Sequence, residues 1–309
     1  ILIISHFSPD GDAIGSMLGL ANALKNMGKK IRLANDDGVP EFLSYIPLSN
    51  KVERNMRWGE YDLVIYTDCA DEGRWGHVGG YARKHAAAII NLDHHITNTG
   101  YGDIHLVVPD MSSAAEVAFH WLKHAEIEIT PEAATALLTG IVTDTIGFRI
   151  TDTKPATLQA AQELMAAGAS LNEIMARTLE SKPYREFQLW QSVLPTAQLD
   201  GKVLQAVITV EDIKAAGIED MTDAGLVGFL RTVNEEMIAV VFKQDHPIGY
   251  KISLRSKLGY NVAEVASQLG GGGHIQAAGA QVEGTLEEVR AKVMPLLHEA
   301  VEKGDYAFG

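Results

Sequence analysis

Three short apolar runs near the start of the chain each end abruptly in a histidine or an aspartate. Ile1–Ile4 runs into Ser5-His6, Leu63–Tyr66 into Thr67-Asp68, and Ala86–Leu92 into Asp93-His94-His95. Runs this short and this apolar predict strands buried on both faces, which is the form of a parallel sheet covered by helices. Ligands of an open parallel sheet bind beyond the carboxyl ends of its strands. A single polar strand end reads as a loop cap, but three of them at one edge predict a site.

The remaining pattern completes an α/β reading. Ile31–Ala34 and Ile104–Val108 are further strands, and helices are predicted at Ala13–Met27, stopped by Gly28, and at Ala114–His124 after the capping serines Ser112 and Ser113. Pro131–Val142 and Lys154–Ala166 are also helical, with Pro131 suited to a first turn. The expected division is a mainly parallel N-terminal domain with flanking helices over 1–180, a helical connector at 181–199 broken by Pro183 and Pro195, and a smaller α/β domain with a mixed sheet over 200–309. In that second domain the pattern predicts a strand at Val203–Val210, a helix near Ala224–Val233, an antiparallel pair at Ile238–Phe242 and Tyr250–Leu254, a helix at Val262–Leu269, a glycine loop, and a closing helix from Leu286 to Val301.

Composition narrows the partners. A net charge of −14 over 309 residues argues against a surface that grips long duplex nucleic acid, because that mode needs a basic stripe to release counterions. Short nucleotides held by a few placed cations fit. The single cysteine, Cys69, excludes an internal disulfide and a cysteine metal cluster, and it suits a cytoplasmic setting. No segment approaches the ~18 to 20 apolar residues of a membrane span, and the chain opens on Ile1 without a basic leader, so neither a membrane partner nor a signal peptide is expected. A homodimer is compatible with this composition.

After the first run the chain reads His6-Phe7-Ser8-Pro9-Asp10-Gly11-Asp12 and then turns helical. Two carboxylates separated by one glycine can turn toward a common point at a helix N-terminus, where the dipole favours negative groups. Asp144 ends another apolar helical run and supplies a further carboxylate. Imidazole and carboxylate donors without thiolate suit manganese, with magnesium, cobalt or zinc as competitors. Asp10, Asp12, Asp68 and Asp144 carry −4 together with neutral His6 and His94, so two divalent cations neutralise the set. Two metals are also the arrangement that activates water and stabilises phosphoryl charge.

A substrate side is legible as well. Gly270–Gly273 followed by His274 exposes backbone N–H groups, with Gly271, Gly272 and Gly273 the closest-approach positions, and Arg255 offers bidentate phosphate recognition. Arg149 is a weaker phosphate candidate, and Ser112 and Ser113 read first as caps and second as phosphate-binding hydroxyls. Cys69 reads as strand-end packing, and Trp58, Trp75, Trp121 and Trp190 are too dispersed for a single-strand stacking platform.

These residues resemble the DHH phosphoesterase superfamily, in its nanoRNase and pAp-phosphatase-like branch with relatives that cleave cyclic-di-AMP or pApA. The resemblance is carried by His6-x3-Asp10-Gly-Asp12, Asp68, Asp93-His94-His95 and Asp144, and by Ser253-Leu254-Arg255-Ser256 and Gly270-Gly271-Gly272-Gly273-His274 in the second domain. It implies a cleft between a metal-bearing domain and a DHH-associated substrate-gripping domain, usually with manganese. It further implies that His6, Asp10 and Asp68 hold one ion, and that Asp12, Asp68, His94 and Asp144 hold the other, with Asp68 bridging. Asp93 would orient a ligand from behind, and His95 would face the substrate phosphate or leaving oxygen. Competing expectations are a RecJ-like single-strand exonuclease and a nucleotide sensor that no longer cleaves.

Overall fold

The computed structural model describes residues 1–150, 152–219 and 221–304. They form two compact units that divide between Ser181 and Lys182. In the first unit the chain runs β1 (Leu2–Ser5), α1 (Gly11–Asn26), β2 (Arg32–Ala34), β3 (Val52–Glu53), β4 (Val64–Thr67), α2 (Gly76–Ala82), β5 (Ile89–Asp93), β6 (Ile104–Val107), α3 (Ala114–His124), α4 (Pro131–Asp144), α5 (Pro155–Ala166) and α6 (Leu171–Thr178). The expected parallel sheet is present, in the order β3-β2-β1-β4-β5-β6 with every pairing parallel.

That order reverses direction between β1 and β4, and such a switch point opens a crevice at the carboxyl ends of the two strands. Ser5 pairs with Thr67 there, so the next residues, His6 and Asp68, emerge side by side. On one face α1 and α3 pack over Ile3, Ile65, Ile90 and Leu92, and α4 packs against both helices. On the other, Tyr66, Trp75 and Tyr101 form a ring cluster with centroids 4.8 to 5.4 Å apart. The α1 helix is buried from Gly11 to Leu24, and this accounts for its weak amphipathic pattern: it sits in a middle layer instead of on the surface.

The second unit runs α7 (Tyr184–Val193), β7 (Gln198–Asp200), β8 (Val203–Ile208), α8 (Val210–Ala215), α9 (Leu226–Leu230), β9 (Ile238–His246), β10 (Gly249–Ser256), α10 (Val262–Gln268), β11 (Gly272–His274), β12 (Ala277–Glu283) and α11 (Leu286–Lys303). Its sheet is mixed, in the order β11-β12-β10-β9-β8-β7, with β8 and β9 parallel and the other pairs antiparallel. One face carries α10 and α11 over Ile252 and Leu254; the other carries α7, α8 and α9 over Ala206, Ala239 and Val241.

Three local expectations need revision. The stretch expected as a connector includes α7, whose Leu189 and Val193, one helical turn apart, are buried in the second unit's core. The strand expected to reach Val210 stops at Ile208, because Thr209 and Asp212 form a capping box that starts α8. The glycine loop is partly an edge strand: Gly272, Gly273 and His274 pair with Gly279, Ala278 and Ala277.

Candidate metal centre

The loop after β1 builds the first half of the centre. Asp10 caps α1, its Oδ1 accepting from the backbone N–H groups of Asp12 at 3.1 Å and Ala13 at 3.0 Å. Asp12, buried in the first turn, accepts from the N–H groups of Ala114 at 2.6 Å and Ala115 at 2.9 Å, so the same carboxylate sits at the start of α3 as well. His6 at the end of β1 places Nδ1 2.7 Å from the Phe7 carbonyl and Nε2 3.4 Å from Asp68 Oδ2. Arg74 Nη2 lies 3.0 Å from the same Nδ1, but an arginine has only donors, and the nearer Phe7 carbonyl places the ring proton on Nδ1. The Nε2 lone pair is thereby left facing the carboxylates.

Asp68 joins the two halves. Its backbone is left-handed at φ 55°, a conformation that aspartate tolerates better than most residues. With Oδ2 toward His6, its Oδ1 lies 3.7 Å from His94 Nε2, and that buried oxygen has no hydrogen-bond partner. His94 turns Nδ1 to the Met111 carbonyl at 3.4 Å and brings Nε2 to 3.5 Å from Asp144 Oδ2 and 3.9 Å from Asp12 Oδ2.

Asp144 reaches the centre because α4 lies hard against α1. A Cβ on Gly11 would fall 2.2 Å from Thr143 Oγ1, and one on Gly140 would fall 2.8 Å from Asp12 Oδ1. Glycine at both positions lets the helices close to a distance that side chains would prevent. Three donor groups converge as a result: His6 with Asp10 and Asp68, Asp12 with His94 and Asp144, and Asp68 with Asp93, His94 and His95.

The electrostatics of this cluster demand cations. Burial, and then the neighbouring Asp144, push the Asp12 carboxyl up to about 8. Burial and then Asp10 push Asp144 up to about 7, and burial and then Asp12 hold Asp68 well above the carboxylate range. Burial holds His6 below its usual value, keeping it neutral as a ligand must be. Buried carboxylates driven toward protonation, an orphaned Asp68 oxygen and imidazole nitrogens aimed inward together fit divalent metal. They do not fit an anion.

Beside the donors, Asp93 is fully buried and ionised. Its Oδ1 accepts from His94 N at 2.8 Å, His95 N at 3.3 Å and His95 Nδ1 at 2.8 Å, and its Oδ2 accepts from Asn98 Nδ2 at 2.6 Å. Burial pushes this carboxyl up, but these hydrogen bonds, His95 foremost, outweigh it and hold it below the usual range. The Asp93 hydrogen bond in turn raises His95.

Comparison with known proteins identifies the two domains of the chain. The DHH family N-terminal domain matches residues 1–141 and the DHHA1 domain matches residues 200–303. The bifunctional oligoribonuclease and PAP phosphatase NrnA of Thermus thermophilus is 36% identical, over 99% of this chain and 91% of its own length. The chain belongs to the DHH family. The NrnA protein of Bacillus subtilis is 28% identical over 91% of this chain and 89% of its own. Among solved structures, an exopolyphosphatase-related protein from Bacteroides fragilis superposes with a TM-score of 0.86 at 25% identity, covering 98% of this chain and 91% of the other. RecJ of Thermus thermophilus with Mn2+ shares the fold alone, with a TM-score of 0.54 at 15% identity over 98% of this chain and 52% of that one.

The DHHA1 region places Arg255 and His274 in one row of the sheet, each paired to Ala277 from opposite sides. Arg255 donates from Nη1 to the Leu254 carbonyl at 3.0 Å, and His274 is exposed. Gly271 and Gly273 have a nearer reason than a ligand for being glycine: a Cβ on either would strike β12, at 2.1 Å from Gly279 O and 2.5 Å from Ala277 O. Gly272 is exposed, and a Cβ there would meet nothing within 4 Å. Arg149 lies outside the donor set, its Nε donating to the Ile146 carbonyl at 2.7 Å.

Ser113 is the helix cap first expected of it. It caps α3 through Glu116 N at 3.0 Å, and Ser112 donates to the buried Glu116 carboxylate at 2.7 Å, so both hydroxyls are buried and engaged inside this DHH domain. Cys69 is buried, with its thiol pushed up to about 12 by burial. What sequence reasoning missed was the N-terminus of α3 holding Asp12, Arg74 against His6, and Asn98 behind Asp93. Each is a contact between segments with no shared spacing.

Proposed function

We propose that this DHH chain hydrolyses short nucleotide phosphoesters, namely oligoribonucleotides of a few residues, pAp, or pApA and cyclic-di-AMP, at a centre that binds two divalent ions, manganese first. The enzyme class, a metal-dependent phosphoesterase, follows from family membership. The observation that carries the reading is Asp68, whose two oxygens face His6 and His94 separately while one of them lacks any hydrogen-bond donor. His6, Asp10 and Asp68 would hold one ion, and Asp12, Asp68, His94 and Asp144 the other. Bound there, the ions would supply an acidified water and charge stabilisation at phosphorus.

The chain's own groups do the rest. Asp93 accepts the Nδ1 proton of His95, which leaves Nε2 to take up a second proton and pass it to the departing oxygen. Arg255, Gly272 and His274 grip the non-reacting part of the nucleotide. The names of the NrnA relatives support oligoribonucleotides and pAp, and a cyclic-di-AMP phosphodiesterase of Geobacillus thermodenitrificans, 24% identical over 98% of this chain and 48% of its own length, supports keeping the cyclic dinucleotide among the candidates. A cytoplasmic location fits the lone reduced thiol of Cys69. No described helix is long and apolar enough to cross a membrane.

The test is turnover of a panel of di- to pentaribonucleotides, pAp, pApA and cyclic-di-AMP with manganese, before and after chelation. Hydrolysis of at least one, lost on chelation, is expected. Activity that survives full chelation, or turnover of none of them, overturns the reading.

A further inference from the structure

Asn98 lies in the loop after β5, hydrogen-bonds to none of the six proposed ligand side chains His6, Asp10, Asp12, Asp68, His94 and Asp144, and has every hydrogen-bonding position of its amide filled. Its Oδ1 accepts from Gly100 N at 2.8 Å and from Asn91 Nδ2 at 2.9 Å; its Nδ2 donates to Asp93 Oδ2 at 2.6 Å and to Asn91 Oδ1 at 3.1 Å. A primary amide offers two donors and two acceptor sites, so nothing is left over. The Gly100 contact decides the orientation. A backbone N–H can only donate, so Oδ1 must face Gly100 and the NH2 group must face Asp93; the flipped amide would set an oxygen against a buried carboxylate. Asn91, fully buried in β5, locks the amide from the other side.

Asp93 Oδ2 has Asn98 as its one hydrogen-bond donor among the described residues, whereas Oδ1 serves His95. Without Asn98, Oδ2 would be a buried anionic oxygen with no donor, and the carboxylate would gain by rotating to share the donors at Oδ1. That rotation would break the alignment with His95 Nδ1. From the pinned amide we infer that Asn98 is a positioning residue for His95, acting through Asp93 to fix which imidazole nitrogen carries the proton and where the ring points. This rests on the proposed hydrolysis for its catalytic consequence, but the effect on the ring belongs to the protein without substrate.

Asn98 also shapes its turn through Gly100, so the test must separate turn from positioning. Asn98→Asp keeps the turn acceptor and replaces the donor facing Asp93 with a carboxylate; Asn98→Ala removes both. The full chain, metal-free, is examined by nitrogen-15 NMR of the histidine rings, and turnover and manganese binding are measured separately. Expected are a single His95 form with Nδ1 protonated in the wild type, a mixture of ring forms in both variants, a fall in kcat of about 10- to 100-fold, the usual consequence of losing such a support, and two manganese ions still bound. Asn91→Ala, which leaves the Asp93 donor in place, should lose less. A wild-type His95 signal and wild-type kcat in Asn98→Asp would reduce Asn98 to a turn residue and overturn the inference. So would manganese loss matching the activity loss, since the centre itself would then have come apart. Failure of every substrate in the panel would sink the proposed function while leaving the NMR comparison able to support or refute Asn98.

Discussion

The Asp12 carboxylate accepts hydrogen bonds from the first backbone N–H groups of a helix that begins 102 residues later, at 2.6 Å from Ala114. It thus has its own structural partners on one side and the donor cluster on the other, whereas Asp68 Oδ1 has no hydrogen-bond partner at all. Two isosteric substitutions should therefore diverge in stability while agreeing in activity. Asp68→Asn removes a buried carboxyl that folding drives toward protonation, and asparagine tolerates the same left-handed backbone, so the metal-free protein should melt a few degrees higher at pH 8. Asp12→Asn must turn an NH2 group toward Ala114 or Ala115, forfeiting an acceptor at a typical cost of ~1 kcal/mol, and should show no such gain. Both should lose more activity than the roughly 10- to 100-fold cost of a lost supporting residue. Thermal melts and kcat on the best substrate decide it; Asp68→Asn with near wild-type turnover would contradict the two-ion centre.

The raised carboxyls predict how stability varies with pH in the absence of metal. Asp12, up to about 8, and Asp144, up to about 7, keep protons in the folded state that the unfolded chain has already released. The folded state binds more protons, so stability should fall as pH rises from roughly 4, the unfolded carboxylate value, to about 8. Manganese should cancel this part of the decline and release protons as it binds. Glu236, buried with neither oxygen hydrogen-bonded and pushed up to about 7 by burial, should add a decline that metal leaves untouched and Glu236→Gln removes. Denaturation midpoints across this range, with metal and with chelator, are the measurement. Identical profiles in the two conditions would contradict the placement of the ions.

Gly140 is a control point for the α1 and α4 contact. Alanine there would set a methyl 2.5 Å from Ala115 Cβ and 2.8 Å from Asp12 Oδ1. The gain in helix propensity is about 1 kcal/mol, while overpacking of a tight core typically costs ~1 to 3 kcal/mol, so Gly140→Ala should be net destabilising and should weaken manganese binding. Chemical denaturation and a manganese titration would show both effects.

Arg255 and His274 lie in the second compact unit, well apart in sequence from the metal donors. Losing a charge-assisted hydrogen bond typically costs about 1.5 to 3 kcal/mol, or one to two decades in kcat/KM. Arg255→Ala and His274→Ala should each show that loss on nucleotides, keep two bound ions, and affect a nitrophenyl phosphodiester much less. Equal losses on both substrates would assign these residues to the reacting centre or to the fold.

Substrate length follows from charge. At −14 the surface gains little from a long anionic strand, so efficiency should peak at about two to five nucleotides or at pAp. Equal or better turnover of long single-stranded DNA would favour the exonuclease reading.

The amino-acid sequence determined the strand ends and hence the donor list, because a buried strand of a few apolar residues leaves its next residue at the sheet edge whatever surrounds it. His6, Asp68, His94 and the α/β class were legible for that reason. Only the tertiary structure decided which oxygen of Asp68 faces which histidine, that the start of α3 holds Asp12, and that Asn98 stands behind Asp93. These are pairings across separate segments, set by strand order and by the close approach that Gly11 and Gly140 permit between helices. The glycines before His274 make the same point: their spacing suggested a ligand loop, and the backbone of β12 beside Gly271 and Gly273 is what excludes a side chain there.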